Sequence, residues 1–174
     1  MSRKKTSNSH GDTLQYETLS GALARITKDP ALTAGNLRRA LDVIAREGCN
    51  ALQATRVSIW GLDMERKLLK SGTSYNLETR SCQQLEDLDC SDKPMYIQAL
   101  SCERLIVVQN AHDNDILPHL PDYYHPQICS FMDAPVRADG QLVGVLSIEQ
   151  FEHYREWLID EQNFTSSLAD FTSM

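Results

Sequence analysis

The side chains best equipped for chemistry fall on alternate positions of three short segments. At a period of two, residues 55–63 (TRVSIWGLD) separate Val57 and Ile59 from Ser58, Trp60 and Leu62. Residues 130–136 separate Met132, Ala134 and Val136 from Phe131, Asp133 and Pro135. Residues 141–150 separate Leu142, Gly144, Leu146 and Ile148 from Val143, Val145, Ser147 and Glu149, with Gly144 placed to let a helix approach closely. One face therefore collects Ser58, Trp60, Asp133, Ser147 and Glu149, and Tyr96 and Asp113 from the intervening segments are expected to close it. An aromatic plate beside hydroxyls and two carboxylates is the equipment of a polar ligand pocket. Asp133 and Glu149 beside Trp60 favour a small cationic or amine-bearing ligand, held by charge-assisted hydrogen bonds and cation–π contact. The competing use is structural, with Trp60 as core filler and the carboxylates bonded to loop backbone.

Other chemistry-bearing residues make no comparable set. No nucleophile–base pair stands out, so no catalytic residue is expected, and neither is a cofactor. His112, His119 and His125 with Asp113, Asp115 and Asp122 follow no helical or zinc-ligand spacing, so no metal is expected. Tyr123 and Tyr124 are expected to cover the pocket or pack the crossover. Asp160 and Glu161 fall in the first turn of a helix, where the helix dipole favours acids. Cys49, Cys82, Cys90, Cys102 and Cys129 are odd in number and lack C-x-x-C spacing, which speaks for a reducing, cytoplasmic setting over a disulfide framework. Cys49 and Cys129 read as small apolar fillers, whereas Cys82, Cys90 and Cys102 lie among polar residues.

The elements that must position the face follow from periodicity. Leu19, Ala22, Leu23 and Ile26 recur at helical spacing until Lys28-Asp29-Pro30 stops the helix. Thr33 is the expected N-cap of a second helix with the stripe Leu37, Ala40, Leu41, Ile44 and Ala51/Leu52. Two strands, 55–63 and 67–74, then form a hairpin, and residues 75–92 are too polar and irregular to assign. Pro94 opens a short helix to Leu100, 104–109 is a short buried strand, and 111–125 is loop with a short helix. Ala138-Asp139-Gly140 turns the last hairpin, and a helix from about Leu158 carries Phe164, Leu168 and Phe171 on the side of Trp157. The layout is α+β: one central antiparallel sheet, terminal helices on one face, crossover and pocket on the other. A basic leader (1–12) is expected to be disordered and to precede a single domain, 13–174, with N-terminal helices over 13–53, sheet and crossover over 55–150 and the last helix over 157–174.

Charge and hydropathy narrow the partners. The net charge is −7, and with Arg3, Lys4 and Lys5 set aside the remainder carries −10, which repels nucleic acid. No apolar run reaches the length of a membrane span.

Four segments resemble the GAF family as found in bacterial sensor kinases and cyclic-dinucleotide enzymes. They are RVSIWGLD (Arg56–Asp63), KPMYIQALSCERLIVVQNAHD (Lys93–Asp113), FMDAPVRADGQLVGVLSIEQ (Phe131–Gln150) and REWLIDEQNFTSSLAD (Arg155–Asp170). The resemblance implies a six-stranded antiparallel sheet, a small-molecule pocket under the crossover loops, and dimerisation through terminal helices. It implies a sensory module without turnover and names no ligand. The Asn-Lys pair of cyclic-nucleotide GAF domains is missing, and no cysteine adjoins a histidine as in bilin-binding ones. Cys90 and Cys129 loosely match two cysteines of the free methionine sulfoxide reductases, which makes that enzyme one alternative; a ligand-free dimerisation module is the other. The final helix stays apolar through Phe171 and Met174, so it is expected to continue into an output domain such as a histidine kinase or diguanylate cyclase. Leu19, Leu23, Ile26, Leu168 and Phe171 are the stripes expected to pair two copies.

Overall fold

Two side chains set where the first helices restart after a proline break. The computed structural model describes residues 9–173. Of the expected leader, residues 1–8 lie outside the described residues, as does Met174, and Ser9 already opens helix α1 (Ser9–Lys28). The Asp29 carboxylate accepts from the Ala31 N–H at 2.8 Å and caps the single turn α2 (Pro30–Thr33). Asn36, not Thr33, caps α3 (Leu37–Leu52), its amide oxygen accepting from the Arg39 N–H at 3.1 Å. Thr33 is consumed as the last residue of α2. Leu37, expected on the apolar stripe, is the first residue of α3 and is 67% exposed.

The strands are β1 (Arg56–Asp63), β2 (Leu68–Asn76), β3 (Ser81–Gln83), β4 (Leu88–Asp89), β5 (Ile106–Val108), β6 (Ile128–Ala138) and β7 (Gln141–Phe151). The sheet runs β3-β2-β1-β7-β6-β5, with β4 also on β2, and every pairing is antiparallel. β3 and β4 occupy the stretch that periodicity left unassigned, and both hydrogen-bond to β2 without a buried face of their own. Helix α4 (Pro94–Cys102) and the short α5 (Leu120–Tyr123) form the crossover, and α6 (Ile159–Thr172) ends the fold.

Alternation sorts two cores onto the two faces. Val57, Ile59, Met132, Ala134, Val136, Leu146 and Ile148 meet α1, α3 and α6. Trp60, Phe131 and Val145 meet α4, α5 and their loops. Leu142 departs from the expected order. A bulge pairs Val136 with Gly144 but Arg137 with Leu142, so the extra residue, Val143, turns outward and Leu142 packs with the second core. The close neighbour of Gly144 is also not a helix: a Cβ there would lie 2.3 Å from the Trp60 carbonyl oxygen. A Cβ on Gly72 of β2 would lie 2.9 Å from the Ile59 carbonyl oxygen, where a second bulge carries β2 past Ile59–Trp60. Small residues on both neighbouring strands thus hold β1 close at the position that presents Trp60.

Leu19, Ile26 and Leu168 are buried in the protomer's own core, and Leu23 and Phe171 pack on its edge, so these five do not make an exposed stripe. At the start of α6, Glu161 is buried; it accepts from Arg155 Nη2 at 2.5 Å and from the Leu158 N–H at 2.9 Å. An ion pair, beyond the helix dipole, accounts for that acid, whereas Asp160 is exposed. Among the described residues, no helix is long and apolar enough to cross a membrane.

Candidate functional site

The register of β1, β7 and β6 lines polar side chains up in two rows. Ser58 lies opposite Ser147, which lies opposite Asp133; two residues along, Arg56 lies opposite Glu149, which lies opposite Phe131. Side chains at such positions share a face and touch across strands. Trp60 continues the β1 side, and the crossover lowers Tyr96 from α4 and Tyr124 from the end of α5 onto the rows.

Two carboxylates sit in this face, and their surroundings differ. Glu149 is ion-paired with Arg56 Nε, accepts from the Tyr124 hydroxyl and lies 3.4 Å from Ser58 Oγ. Arg56 Nη2 in turn donates to the Tyr124 oxygen at 2.9 Å, and the guanidinium stands 4.8 Å from the Phe151 ring centroid. Burial works against the Arg56 charge, but Glu149 and Tyr124 outweigh it and raise its pKa. Asp133 is 4% exposed and is bonded by the Tyr96 hydroxyl at 2.6 Å. Burial pushes its pKa up from 3.8 to about 6; the Ser147 and Tyr96 bonds oppose this, and nearby Glu149 adds to it. Burial likewise holds both tyrosines in their neutral form.

These groups line an enclosed cavity of about 20 Å³, room for a single water-sized group. Trp60, Tyr96, Tyr124, Asp133, Ser147 and Glu149 supply its aromatic and polar wall. Leu69, Leu88, Leu117 and Leu120 shut it from the β2 and α5 sides. The Trp60 and Tyr124 rings are 6.3 Å apart and tilted by 55°.

Of the seven residues expected from sequence, Trp60, Tyr96, Asp133, Ser147 and Glu149 line the cavity. Ser58 stands behind Glu149, bonded to Ser74 Oγ at 3.0 Å. Asp113 does not belong: it is exposed on the loop after β5, where its N–H bonds the Asn110 carbonyl. Arg56 was missed as a site residue, whereas Tyr124, expected with Tyr123 to cover the pocket or pack the crossover, lines the cavity. Arg56 was legible, because it alternates with Ser58 and Trp60 on the polar face of β1. Tyr124 had only its neighbour Tyr123 to mark it, and Tyr123 points away, 41% exposed, with the Lys93 ammonium 4.4 Å from its ring.

The histidines disperse: His125 stacks on Phe151 with centroids 4.2 Å apart, His112 meets Tyr154, and His119 is exposed beside Asp122. Among the described residues no three His, Cys, Asp or Glu side chains converge as a metal site. Cys90, expected among polar residues, is fully buried in the second core, and burial raises its thiol to about 11. Cys49 is raised to about 12 by burial, while Cys82 and Cys102 are exposed.

The GAF domain model matches residues 36–174. Among solved structures, the chain is similar to the GAF domain of a phosphoenolpyruvate-protein phosphotransferase from Coxiella burnetii, at 21% identity and a TM-score of 0.70, over 91% of this chain and 92% of that one. The GAF domain of an Acinetobacter phosphoenolpyruvate-protein phosphotransferase matches at 19% identity and 0.66, over 97% and 92%. The photosensory core module of a Stigmatella aurantiaca phytochrome matches at 14% identity and 0.72, over 98% of this chain and 37% of that one. At such identities the shared property is the fold. No curated protein matches significantly. Sheet order, the helices over one face and the match over residues 36–174 lead to one assignment: the chain belongs to the GAF domain family.

Proposed function

We propose that this GAF domain is a cytoplasmic sensory module that holds a small molecule in the cavity over β1, β6 and β7 and performs no turnover. The observation that carries this reading is Asp133, a carboxylate buried at an enclosed aromatic cavity and bonded only by neutral hydroxyls. GAF domains are generally non-catalytic sensory domains, and the structurally similar Stigmatella aurantiaca phytochrome module is photosensory. The cysteine chemistry of a methionine sulfoxide reductase fits poorly, because Cys90 and Cys129 are both buried and burial raises both thiols, suppressing the thiolate.

The signal would leave along β7. Next to Glu149 stands Gln150, whose side-chain oxygen accepts from Arg155 Nη1 at 3.2 Å. Arg155 also bonds the Leu52 carbonyl at the end of α3 and Glu161 at the start of α6, so one guanidinium ties the cavity's strand to two of the helices on the opposite face. The helices would pass the change to an output domain such as a kinase or cyclase. Two copies would pair through the outward surfaces of these helices, since Leu19, Ile26 and Leu168 are taken up by the protomer's own core.

A thermal-shift screen of amines, amino acids and nucleotides tests the reading. A concentration-dependent rise in melting temperature that disappears in Asp133→Asn supports it. Thioredoxin-coupled turnover of free methionine sulfoxide, lost on Cys90→Ser, would replace it with the reductase.

A further inference from the structure

We infer that the ligand of this cavity is a compact primary amine, bound as the ammonium ion with its head on Asp133. This rests on the sensory reading above and adds the chemical class. The first argument is charge. Arg56, Glu149 and Asp133 are the guanidinium and the two carboxyl groups at the rows, and Arg56 is committed to Glu149. The cluster is therefore one negative charge in excess whenever Asp133 is ionised, and that charge is buried. Its hydrogen-bond partners, Tyr96 and Ser147, are neutral, and the charged group that acts on it, Glu149, has the same sign. A buried carboxylate without a cation either takes up a proton or acquires a counter-charge. The expectation that both carboxylates would hold the ligand is thereby narrowed to one.

The second argument is size and donor count. About 20 Å³ accepts one group of the size of water, and an ammonium head is of that size. A primary ammonium carries three N–H donors. Asp133, the Ser147 hydroxyl oxygen and the Tyr96 oxygen, whose proton is directed to Asp133, are three acceptors at that spot. A quaternary ammonium would overfill the space and bring no N–H to any of the three. Trp60 and Tyr124 offer ring faces to a cation, and Leu117 and Leu120 would yield to a short aliphatic tail. Anions are disfavoured by the same carboxylate, and polyols by the apolar closure.

Asp133 is faced by Tyr96 from α4, by Ser147 and Glu149 from β7, by Tyr124 from the α5 side and by Cys90 ahead of α4. The phenols and the thiol stay protonated through neutral pH, and alkylamines stay charged below about pH 10. Amine affinity should then fall about tenfold per pH unit below about 6, as Asp133 takes up its proton.

The test is calorimetric and thermal-shift titration of the full chain with methylamine and n-butylamine, against butan-1-ol, butyramide, butyrate and tetramethylammonium. The two amines should bind, the four controls should bind at least tenfold more weakly, and Asp133→Asn should lower amine affinity tenfold or more. Should that variant fail to fold, the pH profile of the wild-type chain carries the same prediction. Alcohol or amide binding as tight as amine, or amine binding indifferent to both Asp133→Asn and pH, overturns the amine assignment. If the panel is silent while the broad screen yields an Asp133-dependent ligand of another class, the amine assignment falls and the sensory reading stands. If nothing binds in either screen, both fall.

Discussion

The two faces of one sheet are built on different terms. Toward the helices, β1, β6 and β7 present Val57, Ile59, Met132, Ala134, Val136, Leu146 and Ile148, and the layer is closed by Ile26, Ile44, Leu52, Phe164 and Leu168. Among the described residues, the one buried side-chain polar atom without a partner is Trp157 Nε1, at the margin of that layer beneath Arg155. On the other face the intervening positions carry Arg56, Ser58, Asp133, Ser147 and Glu149, all buried. Burying such groups costs free energy unless each is paired, and one carboxylate lacks a cation. The helix face holds the fold together, and the crossover face spends part of that stability on a site.

That contrast can be broken most forcefully at Arg56. Arg56→Met leaves Glu149 buried with the Tyr124 hydroxyl but no cation, and should cost about 3–5 kcal/mol in urea unfolding. Adding Glu149→Gln should recover most of the loss. If it recovers nothing, Arg56 acts through packing on Phe151 and Tyr124 and the charge argument fails. On the helix face, Leu168→Ala should cost about 2–4 kcal/mol, as a fully buried leucine packed beside Gly48 of α3, while leaving amine affinity within about twofold in folded protein.

Asp133→Asn should act in the opposite direction. The folded pKa of Asp133, about 6, lies above its unfolded value, so its contribution is fully present below about pH 4 and is lost as pH rises through 6. Without ligand, the wild-type chain should lose roughly 2 kcal/mol between about pH 4 and pH 8 through this group, and Asp133→Asn should flatten that part of the profile. Equal slopes in the two proteins would mean that another group, not Asp133, carries the excess charge.

How much of this could be read in advance follows the same division. The inner faces of β1, β6 and β7 were legible because aliphatic residues alternate with polar or aromatic ones along the stretches that pair in register; five of the seven expected site residues came from that pattern. It failed where a bulge changes the count, as at Val143, which reverses Leu142. It also failed where a strand is two or three residues long with no buried face, as in β3 and β4. The loops obey no period, so Asp113, expected to close the cavity, lies exposed outside it, while Tyr124 lines it. The Tyr123-Tyr124 pair marked a cover for the pocket or crossover, but that Tyr124 is the one turned inward is set by the register that puts Arg56 opposite Glu149 and by the path that brings α5 back over both.

Tyr124 also gives the smallest and most local effect. Its hydroxyl donates to Glu149 and accepts from Arg56, and it is the polar tie between the α5 segment and the sheet at the cavity. The rest of that closure is aliphatic, from Leu117 and Leu120. Tyr124→Phe keeps the ring against Trp60 and removes the tie, so the global cost should be small, about 1 kcal/mol, because Glu149 keeps Arg56. Locally the change should be larger. The Leu120 and Tyr124 amides, bonded to the Leu117 and Leu120 carbonyls at 3.3 and 3.0 Å, should exchange with solvent about tenfold faster. The amides of α3 and α6, on the other face, should exchange at rates changed only by the global cost. Hydrogen exchange read by mass spectrometry separates these outcomes. If α6 accelerates as much as residues 117–124, the two faces open together, and α5 is part of the cooperative core and no gate to the cavity.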